Sequence, residues 1–454
     1  MHNNNRIVSN NITEGVIWKQ LLIFFFPLLL GSFFQQLYNT ADAVVVGQFV
    51  GKEALSAVGG TTGTLINLFV GFFVGTSTGA TVTISQYYGA KQEVLVGKAV
   101  HTAMALAIVG GVVIMLLGIV GAPLALKLMR TPDEIMPYSL TYIRIYFGGM
   151  IANLVYNVGT GILRAIGDSK RPLYFLIGSC GINIVLDLLF VIVFRWDVMG
   201  VAVATVISQI CSAVMICYTL MRTTNCYRLY VKQIRVHKDL LVKIIKIGLP
   251  AGFQSLMYTT SNIIIQSNMN SFGTDTIAAW TAYGKIDGIF WMTMGAFGIS
   301  ITTFVGQNYG AGKDDRVRKG IRVCFIMAMA VAIGMSLALY FSGTYVYQLF
   351  SKEDIVIEKG LEILHFMAPT FFTYVSIEIL SGSLRGMGNA FIPMLITCLG
   401  VCALRIIWLF AIVPLYPNVK TVIFSYPLTW VTTSILFILY YAYYMKKQKY
   451  RVSI

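Results

Sequence analysis

The sequence Gln-Tyr-Tyr-Gly-Ala-Lys at residues 86–91 returns, 221 residues later, as Gln-Asn-Tyr-Gly-Ala-Gly-Lys at residues 307–313. A second pair keeps this offset, because Leu-Arg-Ala-Ile-Gly at 163–167 reappears as Leu-Arg-Gly-Met-Gly at 384–388. The chain therefore contains two copies of one unit. In a strongly apolar chain, a duplication of such long period is typical of secondary transporters.

The composition places this duplicated chain in a membrane. Hydrophobic residues make up 57% of its 454 residues and charged residues only 12%, about half the charged share of a soluble domain. Apolar runs long enough to span a bilayer (roughly 20 residues each) occur six times in each copy. Barrel strands would alternate in polarity and be about half as long. We therefore predict an all-α polytopic membrane protein with twelve transmembrane helices in two pseudo-symmetric six-helix lobes.

The domain organisation follows from this count. We predict a cytoplasmic N-terminal tail (1–16), an N-lobe with helices 1–6 (17–222), a cytoplasmic linker (223–242), a C-lobe with helices 7–12 (243–445) and a cytoplasmic tail (446–454). Because six is an even number, the second copy enters the membrane in the orientation of the first, so the repeats are parallel. The pattern around 236–247 predicts a short amphipathic helix on the inner leaflet.

The basic residues indicate the topology. With the N-terminus inside, 24 of the 34 Lys and Arg residues fall in inner segments and seven in outer ones. This bias predicts a multi-pass protein of the plasma membrane with both termini in the cytoplasm. The net charge of +15 is spread over many short loops, so we expect no nucleic-acid partner. The seven cysteines show no metal-binding spacing, and we expect no cofactor and no resident metal.

Polar side chains of the first copy fall at one predicted depth in the membrane. Asp42, Tyr142, Asp187 and Thr205 each lie eight or nine residues from an outer loop. At 1.5 Å per residue they lie roughly 12–14 Å below the outer ends of their helices. Asn183 is one turn from Asp187 on the same face. We therefore expect these five side chains to lie close together.

Such a group suits reversible binding of a cation. Low dielectric favours the neutral form of a carboxyl group, and a second carboxylate nearby favours it further, so the pair can exchange a proton. The oxygens of Asp42, Asp187 and Asn183 also suit Na⁺, a hard cation. The alternative is that Asp42 and Asp187 pair with Arg144 and hold helices together. The coupling ion is thus predicted to be H⁺ or Na⁺.

The repeat offers a test of these two interpretations. By the repeat offset, Asp187 corresponds to Trp408, Asn183 to Leu404, and Asp42 to Ile264 or Ile265. Tyr142 and Thr205 likewise have no polar match of the same type, since Ile363 and Tyr426 stand there. A purely structural network would be expected to survive duplication in part. The asymmetry favours a function in the first copy.

The second copy has charges of its own. Glu378 occupies the position of Asn157, and we group Asn157 with the coupling residues. Glu378 is a candidate cavity acid for a cationic substrate, or alternatively forms an internal ion pair with Lys285 or Arg405. The sequence assigns no role to Lys285 or Arg405, nor to the two other titratable residues of these spans, Asp287 and His365.

Further candidates line a predicted substrate cavity. These are Gln35 and Tyr38 in the first helix, and Met257 and Tyr258 in the seventh. Aromatic and methionine side chains suit an adaptable apolar cavity. Most such residues instead pack in the core or face lipid. Pro27 predicts a bend in the first helix.

Several motifs resemble those of multidrug and toxic compound extrusion transporters. The first is the segment 27–59, with Gln36, Tyr38, Asn39, Asp42, Val46-Gly47, Val50-Gly51 and Ala54-Leu55. The others are the inner-loop sequences at 86–90, 163–168 and 306–311. The resemblance covers nearly the whole chain, and the motifs together are specific.

The resemblance implies an antiporter with two six-helix lobes around a central cavity, which expels cationic amphipathic compounds in exchange for H⁺ or Na⁺. Asp42, Tyr142, Asn183, Asp187 and Thr205 match the first-lobe polar network of the DinF-like branch. The acids that the NorM-like branch places in its second lobe are replaced by tyrosines, Tyr258 and Tyr374, in our alignment. A Na⁺ site in the second lobe is therefore not expected.

Other functions are weaker candidates. A flippase for a lipid-linked saccharide or other lipid precursor would need a basic cavity, whereas this chain has four intramembrane carboxyls against three Arg or Lys. An enzyme is not expected, because the chain has no nucleophile–base motif and no paired histidines. We expect a monomer in the lipid bilayer, acting on a small cationic or amphipathic molecule.

Overall fold

The computed structural model of the protein describes residues 12–129 and 131–452. Arg6 and Arg130, which enter the charge count above, and most of the predicted tail 1–16 lie outside these residues. Within them the chain forms α-helices with short 3₁₀ and π-helical turns and no β-strand. The predicted all-α architecture is confirmed.

Twelve membrane helices follow one another along the chain, here named α1 to α12. In the first copy they are α1 (Ile17–Phe49), α2 (Lys52–Gly59 and Thr61–Gly89), α3 (Glu93–Leu128), α4 (Met136–Gly148 and Met150–Ala165), α5 (Lys170–Leu188, continued by the π-helical turn Leu189–Val193) and α6 (Asp197–Arg222). In the second copy they are α7 (Lys238–Met269), α8 (Thr274–Gly310), α9 (Asp314–Gln348), α10 (Asp354–Met367, Ala368–Tyr374 and Val375–Gly386), α11 (Phe391–Thr397, Cys398–Ala403 and Leu404–Ala411) and α12 (Val419–Ile423 and Ser425–Val452).

Eleven of these helices are individually long and apolar enough to cross a membrane, among the residues that the structure describes. The twelfth, α4, is divided at Gly149 into two shorter helices. A Cβ at Gly149 would lie 2.8 Å from Cγ2 of Val206 on α6, so only glycine permits this close approach. The division therefore reflects packing against α6, and α4 completes the predicted twelve.

The chain separates into two compact units. Among the described residues, unit 1 contains residues 12–13 and Leu22–Gly252, and unit 2 contains Glu14–Leu21 and residues 253–452. The linker and the first turns of α7 thus belong with unit 1, and the first turns of α1 belong with unit 2. The division falls inside two helices, at positions that differ from the lobe boundaries drawn above from the loops.

Glycines let α2 and α7 pack backbone against backbone within unit 1. Gly75 and Gly79 on α2 face Gly248 and Gly252 on α7, four residues apart in each helix. A Cβ at Gly75 would lie 2.7 Å from the carbonyl oxygen of Ala251, and one at Gly252 would lie 2.6 Å from that of Phe72. This arrangement of small residues is the one that brings membrane helices closest together.

Replacing Gly248 by Ala is expected to destabilise the protein by about 1–3 kcal/mol, because the added methyl group meets the carbonyl oxygen of Thr76. Gly288 in α8 has open space around it, so Gly288→Ala is the matched control. That control should be neutral or slightly stabilising. Thermal unfolding in detergent measures both variants, and equal unfolding temperatures would show that the α2–α7 contact is not tightly packed.

The linker is docked onto the start of α3. His101 donates its Nδ1–H to the Gly97 carbonyl at 2.6 Å, so its Nε2 is free to accept the backbone N–H of Tyr230 at 3.0 Å. The His101 and Tyr230 rings stack with centroids 6.3 Å apart. The predicted separate amphipathic helix around 236–247 is wrong, because α7 begins at Lys238 and continues unbroken into its membrane span.

His237 is the last residue of this docked segment, and its contacts depend on whether its ring is protonated. Its backbone N–H donates to the Thr102 hydroxyl at 3.2 Å, and its Nε2 accepts from Arg235 at 3.3 Å. Partial burial lowers the pKa of His237, and the nearby charges of Arg235 and Lys98 and the ring of His101 lower it further. Protonation would remove the acceptor and repel both cations.

Docking of the linker is therefore expected to loosen on acidification. Because the pKa of His237 is lower in the docked linker than in the undocked one, protonation of His237 favours the undocked state. The docked state is accordingly favoured above the ordinary histidine pKa of about 6.5 and loses this advantage as pH falls through the docked value. Amide hydrogen-exchange protection at residue 237 should be lower at about pH 5.5 than at about pH 7.5. In His237→Gln the protection should not depend on pH, and an unchanged pH dependence would exclude His237 as its source.

Candidate ion-coupling site

The site forms around Asp42, near the end of α1. Its carboxyl group is buried, with 5% of the residue exposed. Thr205 on α6 lies opposite, with its hydroxyl oxygen 3.4 Å from Asp42 Oδ2 and 2.9 Å from the Val201 carbonyl oxygen. The hydroxyl therefore shares its proton between the backbone and the carboxylate.

Two side chains of α5 face this carboxyl group. Asp187 and Asn183 are fully buried and lie beside Asp42. They are four residues apart, so one helix face presents both. Asp187 is followed almost immediately by the π-helical turn Leu189–Val193, a distortion that often marks functional sites.

Five polar atoms of Asp42, Asn183 and Asp187 lack hydrogen-bond partners. Both carboxylate oxygens of Asp187, Oδ1 of Asp42 and both side-chain polar atoms of Asn183 are buried and have no partner. Buried polar groups are almost always hydrogen-bonded. Five such atoms at one place therefore indicate a site for a proton, cation or water.

Tyrosines border the carboxyl pair. Tyr142 is buried and lies near both Asp42 and Asp187, and its ring stacks on Tyr146 with centroids 6.2 Å apart. The Tyr38 hydroxyl lies 3.2 Å from Ser208 Oγ. Asp42, Tyr142, Asn183, Asp187 and Thr205 are thus brought together, as their predicted depths implied.

Sequence reasoning missed three members of this shell. Tyr146 is one turn from Tyr142, and Ser208 and Gln209 are one turn from Thr205. Ser208 contacts Tyr38, and Gln209 faces the Tyr146 hydroxyl. Each stands three or four residues from a predicted member, so helical spacing was the signal that would have identified them.

The alternative of an ion pair with Arg144 does not match the structure. Arg144 is exposed, and it is absent from the salt bridges within 4.0 Å among the described residues. The same five pairs include neither Asp42 nor Asp187. Within the described chain the two carboxyl groups therefore face each other without a compensating basic side chain.

Other predicted residues lie apart from this cluster. Asn157 donates to the carbonyl and side-chain oxygens of Asn153, one turn away, at 2.9 and 3.0 Å. Gln35 and Met257 are exposed on their units. Pro27 lies inside α1, which remains helical on both sides of it.

Glu378 has a different partner from the two considered above. Its Oε1 lies 4.0 Å from Nη2 of Arg385, and its Oε2 accepts from the Tyr374 hydroxyl at 3.1 Å. The predicted pairing with Lys285 or Arg405 is wrong. Arg385 is two turns along the same helix, so it shares a face with Glu378. Tyr258 faces Tyr374 across this group.

Unit 2 contains a second half-buried acid, Asp287. Its Oδ2 accepts from the indole N–H of Trp291, its Oδ1 has no partner, and Tyr283 lies nearby. Arg405 lies over the Tyr426 ring at 4.1 Å and donates to Thr429 at 3.2 Å. Among the described residues of unit 2, the two acids Asp287 and Glu378 thus have different partners, Trp291 for one and Tyr374 and Arg385 for the other.

Comparison with known proteins identifies the family. The MatE family model matches residues 27–189 and 250–410. The probable multidrug resistance protein YoeA of Bacillus subtilis (strain 168) is 27% identical, over 98% of this chain and 97% of that protein.

Solved structures show the same fold. A MATE structure in the bent conformation has a TM-score of 0.91 at 19% identity, covering 98% of this chain and 99% of that one. A MOP superfamily transporter from Pyrococcus furiosus, whose reversed pocket polarity suggests a different function, has a TM-score of 0.90 at 20% identity, covering 97% and 99%. The two matched segments together span well over half of the chain. The chain therefore belongs to the MatE family, the multidrug and toxic compound extrusion transporters, and is a multi-pass membrane protein.

Proposed function

We propose that the protein is a secondary antiporter that exports cationic amphipathic compounds in exchange for a cation bound at Asp42 and Asp187. The observation that carries this proposal is the facing pair of buried carboxyl groups with no Lys or Arg beside them among the described residues. Two adjacent carboxyls in low dielectric cannot both be ionised without a cation. Such a site suits the reversible gain and loss of one positive charge.

H⁺ is the first candidate for this charge. When one proton is held between Asp42 and Asp187, one carboxyl group donates a hydrogen bond and the other accepts it. This gives a partner to some of the five buried polar atoms that otherwise have none. Na⁺ is the alternative, because Asn183 and Thr205 add neutral oxygens. In either case the bound cation reduces the negative charge of the pair by one, and the pair without it attracts a cationic substrate more strongly.

The cargo class rests on charge and on the relatives. A site that becomes more negative on losing H⁺ suits a positively charged substrate, and the name of YoeA refers to multidrug resistance. We infer alternating access, with loading from the cytoplasm and release outside. Pro27 lies 15 residues before Asp42 in α1, about 22 Å along the helix. Its missing N–H weakens the helix there, so α1 can bend when the charge of the pair changes.

Efflux from proteoliposomes tests this proposal. Purified full-length protein is reconstituted with ethidium inside, and the membrane potential is clamped with valinomycin and K⁺. An acidic exterior at equal Na⁺ should accelerate ethidium efflux, whereas a Na⁺ gradient at equal pH should not. The reverse pattern would establish Na⁺ coupling. Absence of ethidium movement together with translocation of a lipid pyrophosphate would instead establish the flippase function.

A further inference from the structure

A cavity opens at the side of unit 2, away from the acids described above. Its volume is about 560 Å³, within the usual range of small-molecule sites. It lies between the first turns of α9, the last segment of α10 (Val375–Gly386) and the last turns of α12. Its lining includes Arg318, Arg322 and Lys446, together with Phe325, Leu380 and Tyr441.

Three basic side chains stand at this cavity without an acidic partner. Arg318 and Arg322 are one turn apart on the same face of α9, and Lys446 lies near the end of α12. Neither arginine nor the lysine occurs in a salt bridge within 4.0 Å in the described part of the chain. Both arginines also lie within electrostatic reach of the Tyr441 hydroxyl. The cavity therefore offers concentrated positive charge and one neutral donor.

Several other cations of this unit differ from these three, because they have partners. Arg316, on the same helix turn, donates to the backbone carbonyls of Glu14 and Gly15 at 2.7 and 2.8 Å. Arg385 lies beside Glu378, and Lys420 pairs with Glu362 at 2.7 Å. The charge at the cavity is thus a local feature of Arg318, Arg322 and Lys446.

The walls of the cavity are apolar. Ile321 and Leu380 form its buried part, at 4% and 6% exposure, and Ile438 at 48% exposure forms its open side. Phe325 and Met445 complete this surface. A free phosphate ion would pair with the three basic side chains but would make no contact with these apolar walls. An organic cation would use the walls and be repelled by the charges.

The position of the cavity in the membrane fits one class of molecule. Arg318 and Arg322 are four and eight residues into α9, within about 12 Å of its start. The predicted topology places that end at the cytoplasmic leaflet, which carries anionic lipids. The basic groups then lie at headgroup level, and the apolar walls continue into the hydrocarbon region.

We propose that this cavity binds one anionic phospholipid, with its phosphate at Arg318, Arg322 and Lys446 and the first part of an acyl chain against Phe325, Leu380 and Ile438. The remainder of the chains stays in the bilayer beside α9 and α12. This site is independent of the antiport function proposed above and does not share residues with it.

Native mass spectrometry of the full-length protein tests this site. Delipidated protein is titrated with dioleoylphosphatidylglycerol or with dioleoylphosphatidylcholine. The wild type should bind one phosphatidylglycerol in preference to phosphatidylcholine. The triple variant Arg318→Gln, Arg322→Gln, Lys446→Gln should bind it at least about tenfold more weakly, because each basic group near a charged headgroup contributes several-fold. Lys319→Gln, which removes an equal charge from the next position of α9, should bind as the wild type does.

A second variant separates the lipid from a free phosphate and guards against misfolding of the first. Ile438→Trp keeps all three charges and fills the open side of the cavity, where the exposed side chain leaves room for a larger one. The Ile438→Trp variant should also lose selective phosphatidylglycerol binding. In the wild type, millimolar inorganic phosphate should not displace the bound lipid. Equal binding of the two lipids, unchanged binding in the triple variant, or displacement by inorganic phosphate would each overturn the proposal.

Discussion

Replacing Asp42 by Asn is expected to abolish cation-driven ethidium efflux, with a rate at least about 100-fold below that of the wild type. The amide has the shape of the carboxyl group but cannot release and regain a proton, so the charge of the pair no longer follows the gradient. Folding should be preserved, because the variant removes a buried carboxyl oxygen that has no partner. Efflux from proteoliposomes measures the rate, and thermal unfolding in detergent shows whether the protein remains folded.

The same substitution at the half-buried acid of unit 2, Asp287, is the matched control. Asp287→Asn also removes a carboxyl group with one unpartnered oxygen, but it leaves the facing pair of unit 1 intact. We expect this variant to retain efflux within about threefold of the wild type. A loss as deep as that of Asp42→Asn would show that coupling is shared between the units, and full activity of Asp42→Asn would exclude Asp42 from coupling.

Replacing Pro27 by Ala is expected to slow turnover by about 100-fold. Proline in a helix interior costs about 3 kcal/mol relative to alanine, chiefly because it removes one backbone hydrogen bond and crowds the preceding turn. Alanine restores that bond and stabilises the unbent helix by up to this amount, which corresponds to about two powers of ten in a conformational equilibrium. The efflux rate should fall while ethidium binding persists.

Pro250 provides the control for this prediction. It occupies the matching early position in α7 and also lies inside a helix, but its helix has no member of the carboxyl pair. Pro250→Ala should therefore retain most of the efflux rate. If Pro27→Ala transports as fast as the wild type, bending of α1 is not a required step. Ethidium binding by both variants, followed by fluorescence, separates a transport defect from a binding defect.

The sequence allowed the twelve helices and the main site residues to be predicted, for physical reasons that are clear. Hydrophobic length identifies spans, and counting 1.5 Å per residue from loop ends gives depth. This placed Asp42, Asp187, Tyr142 and Thr205 at one level, and the structure brings them together. Depth alone does not give the direction of a side chain, however, and Asn157 lies beside Asn153 instead.

What could not be predicted depends on contacts between helices or on local backbone geometry. The division of α4 at Gly149 comes from the approach of Val206 on a neighbouring helix. The basic cavity of unit 2 combines residues of α9, α10 and α12, and each of these helices contributes residues at least 55 positions from those of the next. The pairing of Glu378 with Arg385 was predictable from helical spacing, because Arg385 is two turns along the same helix. The continuous start of α7 at Lys238 was missed because its first turns are polar.

Proton release on substrate binding tests most directly whether Asp42 and Asp187 hold the coupling ion. Ethidium is added to purified protein in weakly buffered detergent solution with a pH-sensitive dye, at constant Na⁺. The wild type is expected to release protons as ethidium binds, and Asp42→Asn is expected to release none, while Asp287→Asn releases as many as the wild type. Equal proton release from Asp42→Asn and the wild type would contradict the assignment of the coupling site to unit 1.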